Sequence, residues 1–155
     1  MRRWIGWVAA LVIASGFVAV GVTTASAATA SQRRPRCTGT VQITSLAFDP
    51  ATVAGGGTSV ATLEARNCTQ NSVQATVTWF GQFVGPNPGI PTGCNAVDPF
   101  QRPASFAPRG TVTQTTGYRV FPTCTATSLR ISVRIAATDG TVLATRDATL
   151  TIQQA

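Results

Sequence analysis

Leu129, Ile131, Val133 and Ile135 alternate with Arg130, Ser132 and Arg134. A period of two is the mark of extended backbone with one face in a core and the other in water. The pattern recurs along the chain. Val41 and Ile43 alternate with Gln42 and Thr44; Ala61, Leu63 and Ala65 alternate with Thr62, Glu64 and Arg66. Val73, Ala75, Val77 and Trp79 alternate with Gln74, Thr76 and Thr78, and Ala148, Leu150 and Ile152 with Thr149 and Thr151. A less regular strand is expected from about Thr111 to Phe121. Asp139-Gly140 between the last two runs is a hairpin signal, and Gly55-Gly56-Gly57 and the Asn67–Ser72 stretch mark further turns. No stretch beyond Ala27 sustains a helical period. The fold class expected is therefore all-β: an immunoglobulin-like antiparallel β-sandwich of about seven strands. A closed barrel is the alternative, and the long irregular stretch in mid-chain suits it less well.

The segment from Met1 to Ala27 reads as a secretory signal. Met1-Arg2-Arg3 gives a positive start, Trp4 to Val22 carries no charge, and Ala25-Ser26-Ala27 supplies a small-residue cleavage site. About 19 uncharged residues would also just span a bilayer. Gly6, Ser15, Gly16 and Gly21 dilute that segment, and its small-residue exit suits a peptidase, so no membrane span is expected once the signal is removed. The organisation predicted is a signal peptide at 1–27, a flexible basic tail at 28–36 and one domain at 37–155. What remains of the 155 residues after cleavage is enough for one domain with a real core.

The part after the signal keeps all five acids and ten of the twelve basic residues, a net charge of +5, and every basic residue is arginine. Together with the Ala, Thr, Val and Gly richness, this reads as the coding bias of a high-GC bacterium. A basic balance is open to three readings: nucleic acid, anionic cell-wall polymers or solubility alone. The arginines form no long run, only the Arg33, Arg34, Arg36 cluster, and nucleic acid is not expected as the partner of an exported chain.

Cys37, Cys68, Cys94 and Cys124 are an even set in an exported small domain and read as two disulfides. Four cysteines allow three pairings. Antiparallel order puts the start of the first strand and the end of the second at one end of the sandwich, where Cys37 and Cys68 both lie. Cys94 follows the third strand and Cys124 the strand ending near Phe121, at the opposite end. Cys37–Cys68 and Cys94–Cys124 are the pairs expected, each closing a loop of about 30 residues worth about 3–4 kcal/mol in the chain-entropy account.

The run Phe48-x-Pro50-x-x-Val53-x-x-Gly56, followed by Val60, Leu63, Ala65 and Asn67 and by a strand ending in Trp79, resembles the first half of bacterial immunoglobulin-like modules. The adhesion-associated CARDB type is the nearest. The resemblance covers about residues 41–80, with a looser fit of the last two strands, and a Pro-rich insertion stands where such modules have short middle strands. It implies a non-catalytic spacer or binder.

Histidine and lysine are both absent. That removes Ser-His-Asp and Cys-His catalysis, Schiff-base chemistry and P-loop phosphate binding. The cysteine spacing offers no metal site, and no cofactor is expected. Each acid has a structural reading: Asp49 and Asp139 at turns, Glu64 on a solvent face, Asp98 before Pro99 in a loop, Asp147 paired with neighbouring Arg146. Asn67-Cys68-Thr69 matches the glycosylation sequon, which the cysteine and the bacterial character of the chain make accidental. Trp79, in register with Val73, Ala75 and Val77, reads as core.

The segment from Phe80 to Phe106 holds five prolines, Cys94 and several apolar side chains. A loop this long in a small domain is functional, or else it caps the open end of the sandwich. Phe83, Ile90, Phe100 and Arg102 are the binding residues expected, on the view that the solvent faces of the sheets offer few anchors. The function expected is a secreted, non-catalytic binding or adhesion module acting on an extracellular protein or a cell-envelope polymer. A protease inhibitor presenting Phe100-Gln101-Arg102-Pro103 to an enzyme cleft is the alternative, weakened by the proline after Arg102. A small hydrolase of unknown type is the third reading.

The export reading has a direct test. The secreted protein should show, by intact-mass measurement, a chain beginning Ala28-Thr29-Ala30. A full-length chain retained in the membrane would refute it.

Overall fold

The alternating runs fold as read. The computed structural model describes residues 37–86, 90–97 and 99–154; the signal, the basic tail and Asp98 lie outside the described residues. Eight strands follow one another: β1 (Val41–Asp49), β2 (Thr52–Ala54), β3 (Thr58–Asn67), β4 (Val73–Val84), β5 (Phe100–Phe106), β6 (Thr111–Arg119), β7 (Ser128–Ala137) and β8 (Val142–Gln153). They form a three-stranded sheet in the order β1-β3-β6 and a five-stranded sheet in the order β2-β8-β7-β4-β5. With β4, β7 and β8 adjacent in one sheet and β3 in the other, the strands divide as in an immunoglobulin-like sandwich. Among the described residues no helix is long and apolar enough to cross a membrane.

Two of the eight strands, β2 and β5, lie outside the runs expected from the sequence. The short β2 leaves the first sheet after Asp49-Pro50 and joins the second, pairing in parallel with β8 from Thr151 to Gln153. More consequential is β5, which lies inside the segment expected to be a loop. Phe100, Ala104 and Phe106 alternate there with Gln101, Pro103 and Ser105, and Pro103 pairs opposite Thr76 of β4. β5 is the edge of its sheet, the place where a strand tolerates proline because the missing N–H has no ladder partner to lose. β4 also runs past Trp79 to Val84. The true connection is therefore the stretch between Val84 and Phe100.

Inward side chains of both sheets fill one core. Trp79, Phe106, Leu63, Leu129, Ile131, Val133, Ile135 and Leu150 are essentially without exposure, with Leu46 and Phe48 closing it from β1. The hairpin at Asp139-Gly140 forms as expected: Gly140 takes φ 86°, and its N–H donates to Ala137 O at 2.9 Å.

Two arginines close the seams between the sheets. On one side the β1–β3 register shifts between Ile43 and Ser45. Arg146 of β8 reaches across and donates to the carbonyls of Ile43 and Thr44 at 3.3 and 3.1 Å. On the other side Arg102 of β5 donates to Thr115 O of β6 at 2.7 Å, while its guanidinium lies 5.0 Å from the centre of the Phe100 ring. Phe100 in turn stacks on Trp79, with centroids 6.0 Å apart and planes 10° from parallel.

The cysteines sit in the expected pairs, Cys37 with Cys68 and Cys94 with Cys124, at Cα separations of 5.6 and 4.2 Å. Beside the first pair, Asn67 is fully buried. Its amide donates to the carbonyls of Asn71 and Ala107 at 2.7 and 2.9 Å and accepts from the Thr69 N–H and hydroxyl. One side chain thus fastens the β3–β4 and β5–β6 turns together, and the sequon at Asn67 is a structural knot.

Tyr118 packs edge-on against Phe48 at 5.7 Å. It is buried, and its hydroxyl has no hydrogen-bond partner among the described residues. Burial pushes the phenol up to about 12, partly opposed by the nearby Arg102 charge. The unfolded phenol ionises near 10. Above that pH the unfolded state sheds its proton first, so stability falls as pH rises from about 10 towards 12. Tyr118→Phe removes an orphaned hydroxyl and should stabilise the protein by about 1 kcal/mol at neutral pH. The variant should also lack the tyrosine-linked alkaline decline, which guanidinium unfolding curves between pH 7 and 11 would show.

Candidate functional site

The ladder that buries Trp79 decides what its neighbours do. Successive strand residues point to opposite faces, so Thr78, Phe80 and Gln82 stand on the outer face of the five-stranded sheet. The register sets Thr78 opposite Arg134, Phe80 opposite Ser132 and Gln82 opposite Arg130. One strand further, Ser132 faces Asp147 and Arg134 faces Thr145; on the other flank Gln101 faces Thr78. Phe80, 41% exposed, is the aromatic ring near the centre of this face.

Two shallow basins meet at that ring. One, about 450 Å³, is lined by Phe80, Gly81, Gln82, Arg130, Ser132 and Asp147. The other, about 300 Å³, is lined by Thr76, Thr78, Phe80, Gln101 and Arg134 with the β7–β8 turn. Asp147 pairs with Arg130 at 2.6 Å rather than with adjacent Arg146, because cross-strand neighbours meet on one face while sequence neighbours point apart. Hydrogen bonding from Arg130, and then from Ser132, holds the Asp147 carboxyl below the usual carboxylate range. Arg134 is exposed and makes no ion pair among the described residues.

The four residues expected to bind do not form one site. Phe100 caps the core against Trp79, and Arg102 is spent on Thr115 O. Phe83 is half-buried against the core from β4, opposite Leu129. Ile90 is 94% exposed. Phe83 and Ile90 border another cleft, of about 450 Å³, with Pro91, Asn95 and Val97, and this cleft shares Gly81 and Gln82 with the first basin.

The chain around that cleft is firmly held. Cys94 is bonded to Cys124, the Thr125 N–H donates to Thr92 O and the Thr123 hydroxyl to Gly93 O, both at 3.0 Å. Val97 fills the space over Gly81, where an added Cβ would lie 2.3 Å from Val97 Cγ1. This part of the segment is a lid on the open end of the sandwich. Sequence reasoning passed over Phe80, although the signal was present: burying Trp79 leaves the next residue no choice but the solvent face.

No family model matches the chain, and no curated protein sequence matches it. Its fold is similar to part of the Pseudomonas fluorescens alkylpurine DNA glycosylase AlkC bound to DNA containing an abasic site analogue, with a TM-score of 0.53 and 15% identity over 74% of this chain. The match spans 31% of that protein, about a third of its length. It is also similar to the C-terminal domain of wzt, with a TM-score of 0.52 and 11% identity over 76% of each chain. At these identities the likeness concerns the fold alone.

Stability measurements separate the core cap from the exposed ring. Phe100→Ala should cost about 2 kcal/mol, less than the loss of a fully buried phenylalanine. Phe80→Ala should stay within about 1 kcal/mol of the parent. Thermal or urea unfolding of the two variants reads the difference.

Proposed function

We propose that this protein is a secreted, non-catalytic binding module that holds its partner on the outer face of the five-stranded sheet, around Phe80. The observation that carries this reading is an exposed aromatic ring at the meeting point of two basins. Guanidinium, carboxylate, amide and hydroxyl groups surround it, on a sheet whose register leaves it no inward alternative. Such a surface is rigid before a partner arrives, which lowers the entropy lost on binding.

Other features agree. Two disulfides suit an oxidising compartment outside the cytoplasm, the segment from Met1 to Ala27 reads as an export signal, and residues 41–80 resemble CARDB-type adhesion modules. The fold by itself argues for no activity. The inhibitor alternative loses its loop: Phe100–Pro103 is paired in β5 and its Arg102 side chain is engaged. Of the carboxylates a hydrolase would use, Asp147 is paired with Arg130 and Asp139 accepts from its own turn at Thr141.

Co-sedimentation of the mature protein with bacterial cell-envelope fractions tests the reading. The parent should be retained, and Phe80→Asp, checked for an unchanged melting temperature, should lose at least ten-fold in bound fraction. Equal retention of the variant would refute the sheet-face site. Turnover of generic ester or glycoside substrates would refute the non-catalytic assignment.

A further inference from the structure

The geometry points to a carboxylate-bearing polysaccharide, a polymer containing hexuronate units, as the ligand of this face; the inference rests on the sheet-face reading above. Phe80 has no polar handle, so what it offers is the face of its ring. That face is the negative side of the aromatic quadrupole and suits the weakly positive C–H groups on the apolar side of a pyranose. The groups around it suit the rest of a sugar. Asp147 is ionised and held in place by Arg130, which leaves carboxylate lone pairs for hydroxyl donors. Gln82 and Gln101 bring amides from either side of the ring.

Arg134 adds the acid preference. It lies on the strand next to Phe80 and two residues along from Ser132, the diagonal position of a ladder, about 7–8 Å away. Arg130 is already neutralised by Asp147, so among the described residues Arg134 is the unpaired cation of this face. A hexuronate carries its carboxylate on the ring itself. A ring stacked on Phe80 therefore brings that carboxylate within reach of the Arg134 fork, which binds carboxylates through two parallel hydrogen bonds.

The face is also long and shallow. From Gln101 through Thr78 and Arg134 to Thr145 it crosses three strand spacings, about 14 Å. A polymer of several rings fits this better than a small molecule that must be mostly enclosed. Single-stranded nucleic acid would stack on Phe80 as well, but it needs successive aromatic platforms and a basic groove along its backbone, and among the described residues this face offers one aromatic ring and one unpaired arginine.

Affinity electrophoresis and calorimetry with polygalacturonate, dextran, teichoic acid and poly(dT) decide between these. Polygalacturonate should bind, more weakly as salt rises, and dextran should not. Phe80→Ala and Arg134→Gln should each weaken polygalacturonate binding at least ten-fold, with melting temperatures unchanged. Arg119→Gln, an equal charge loss on the exposed part of β6, should leave it unaltered; an equal loss there would reduce the effect to bulk charge and overturn the proposal. Phe80-dependent binding of teichoic acid, poly(dT) or dextran without polygalacturonate would overturn the ligand class while leaving the sheet-face reading intact. Phe80-independent retention on envelopes would overturn both.

Discussion

Trp79 cannot be buried without exposing Phe80. The strand period is two, and a slip of one residue would turn every side chain of β4 to the wrong face. Trp79 is held inward from three directions: by the surrounding apolar residues, by the Phe100 ring stacked on it, and by Gln114 of β6, whose side-chain oxygen lies 3.5 Å from the indole N–H. Gln114 also donates to Pro103 O, so the contacts that bury the tryptophan draw β5 and β6 together across the seam. The core anchor and the exposed ring are two sides of one constraint.

The seams show what an arginine-only chain does with its cations. Arg102 and Arg146 are placed less for ion pairing than for reaching main-chain carbonyls of the opposite sheet. A guanidinium presents several donors in a fixed plane. It serves two carbonyls at the β1 irregularity at once, leaving fewer unpaired acceptors where the ladder breaks. The net positive charge of the sequence thus overstates the charge available to a partner, because part of it is structural mortar.

How much of this was legible follows from the range of each interaction. The strands of Leu129–Ile135 and Val73–Trp79, the Asp139-Gly140 turn and the cysteine pairing depend on local pattern and on antiparallel order, and they could be read. β5 was hidden because proline-rich composition resembles a loop, and only the edge position, a property of the whole sheet, makes Pro103 admissible. Phe100 and Arg102 looked like binding residues because an aromatic beside an arginine is what an interface offers. Their partners, Trp79 and Thr115, stand on other strands, well separated along the chain. The Arg130–Asp147 pair was likewise invisible, since it requires the β7–β8 register, whereas the Trp79–Phe80 alternation required nothing beyond the sequence itself.

The two disulfides do not interleave in sequence, and this sets how tension would travel through the domain. A pull applied at the two ends enters at Cys37, crosses directly to Cys68, runs along β4, crosses from Cys94 to Cys124, and leaves through β7 and β8. The bypassed rings, spanning 31 and 30 residues, each withhold roughly 100 Å of extensible chain. β1, β2 and β3 sit in one ring and β5 and β6 in the other, sheltered from load. The strands left to carry it are three neighbours in the five-stranded sheet, β4 among them, so the surface bearing Phe80 is also the domain's tether.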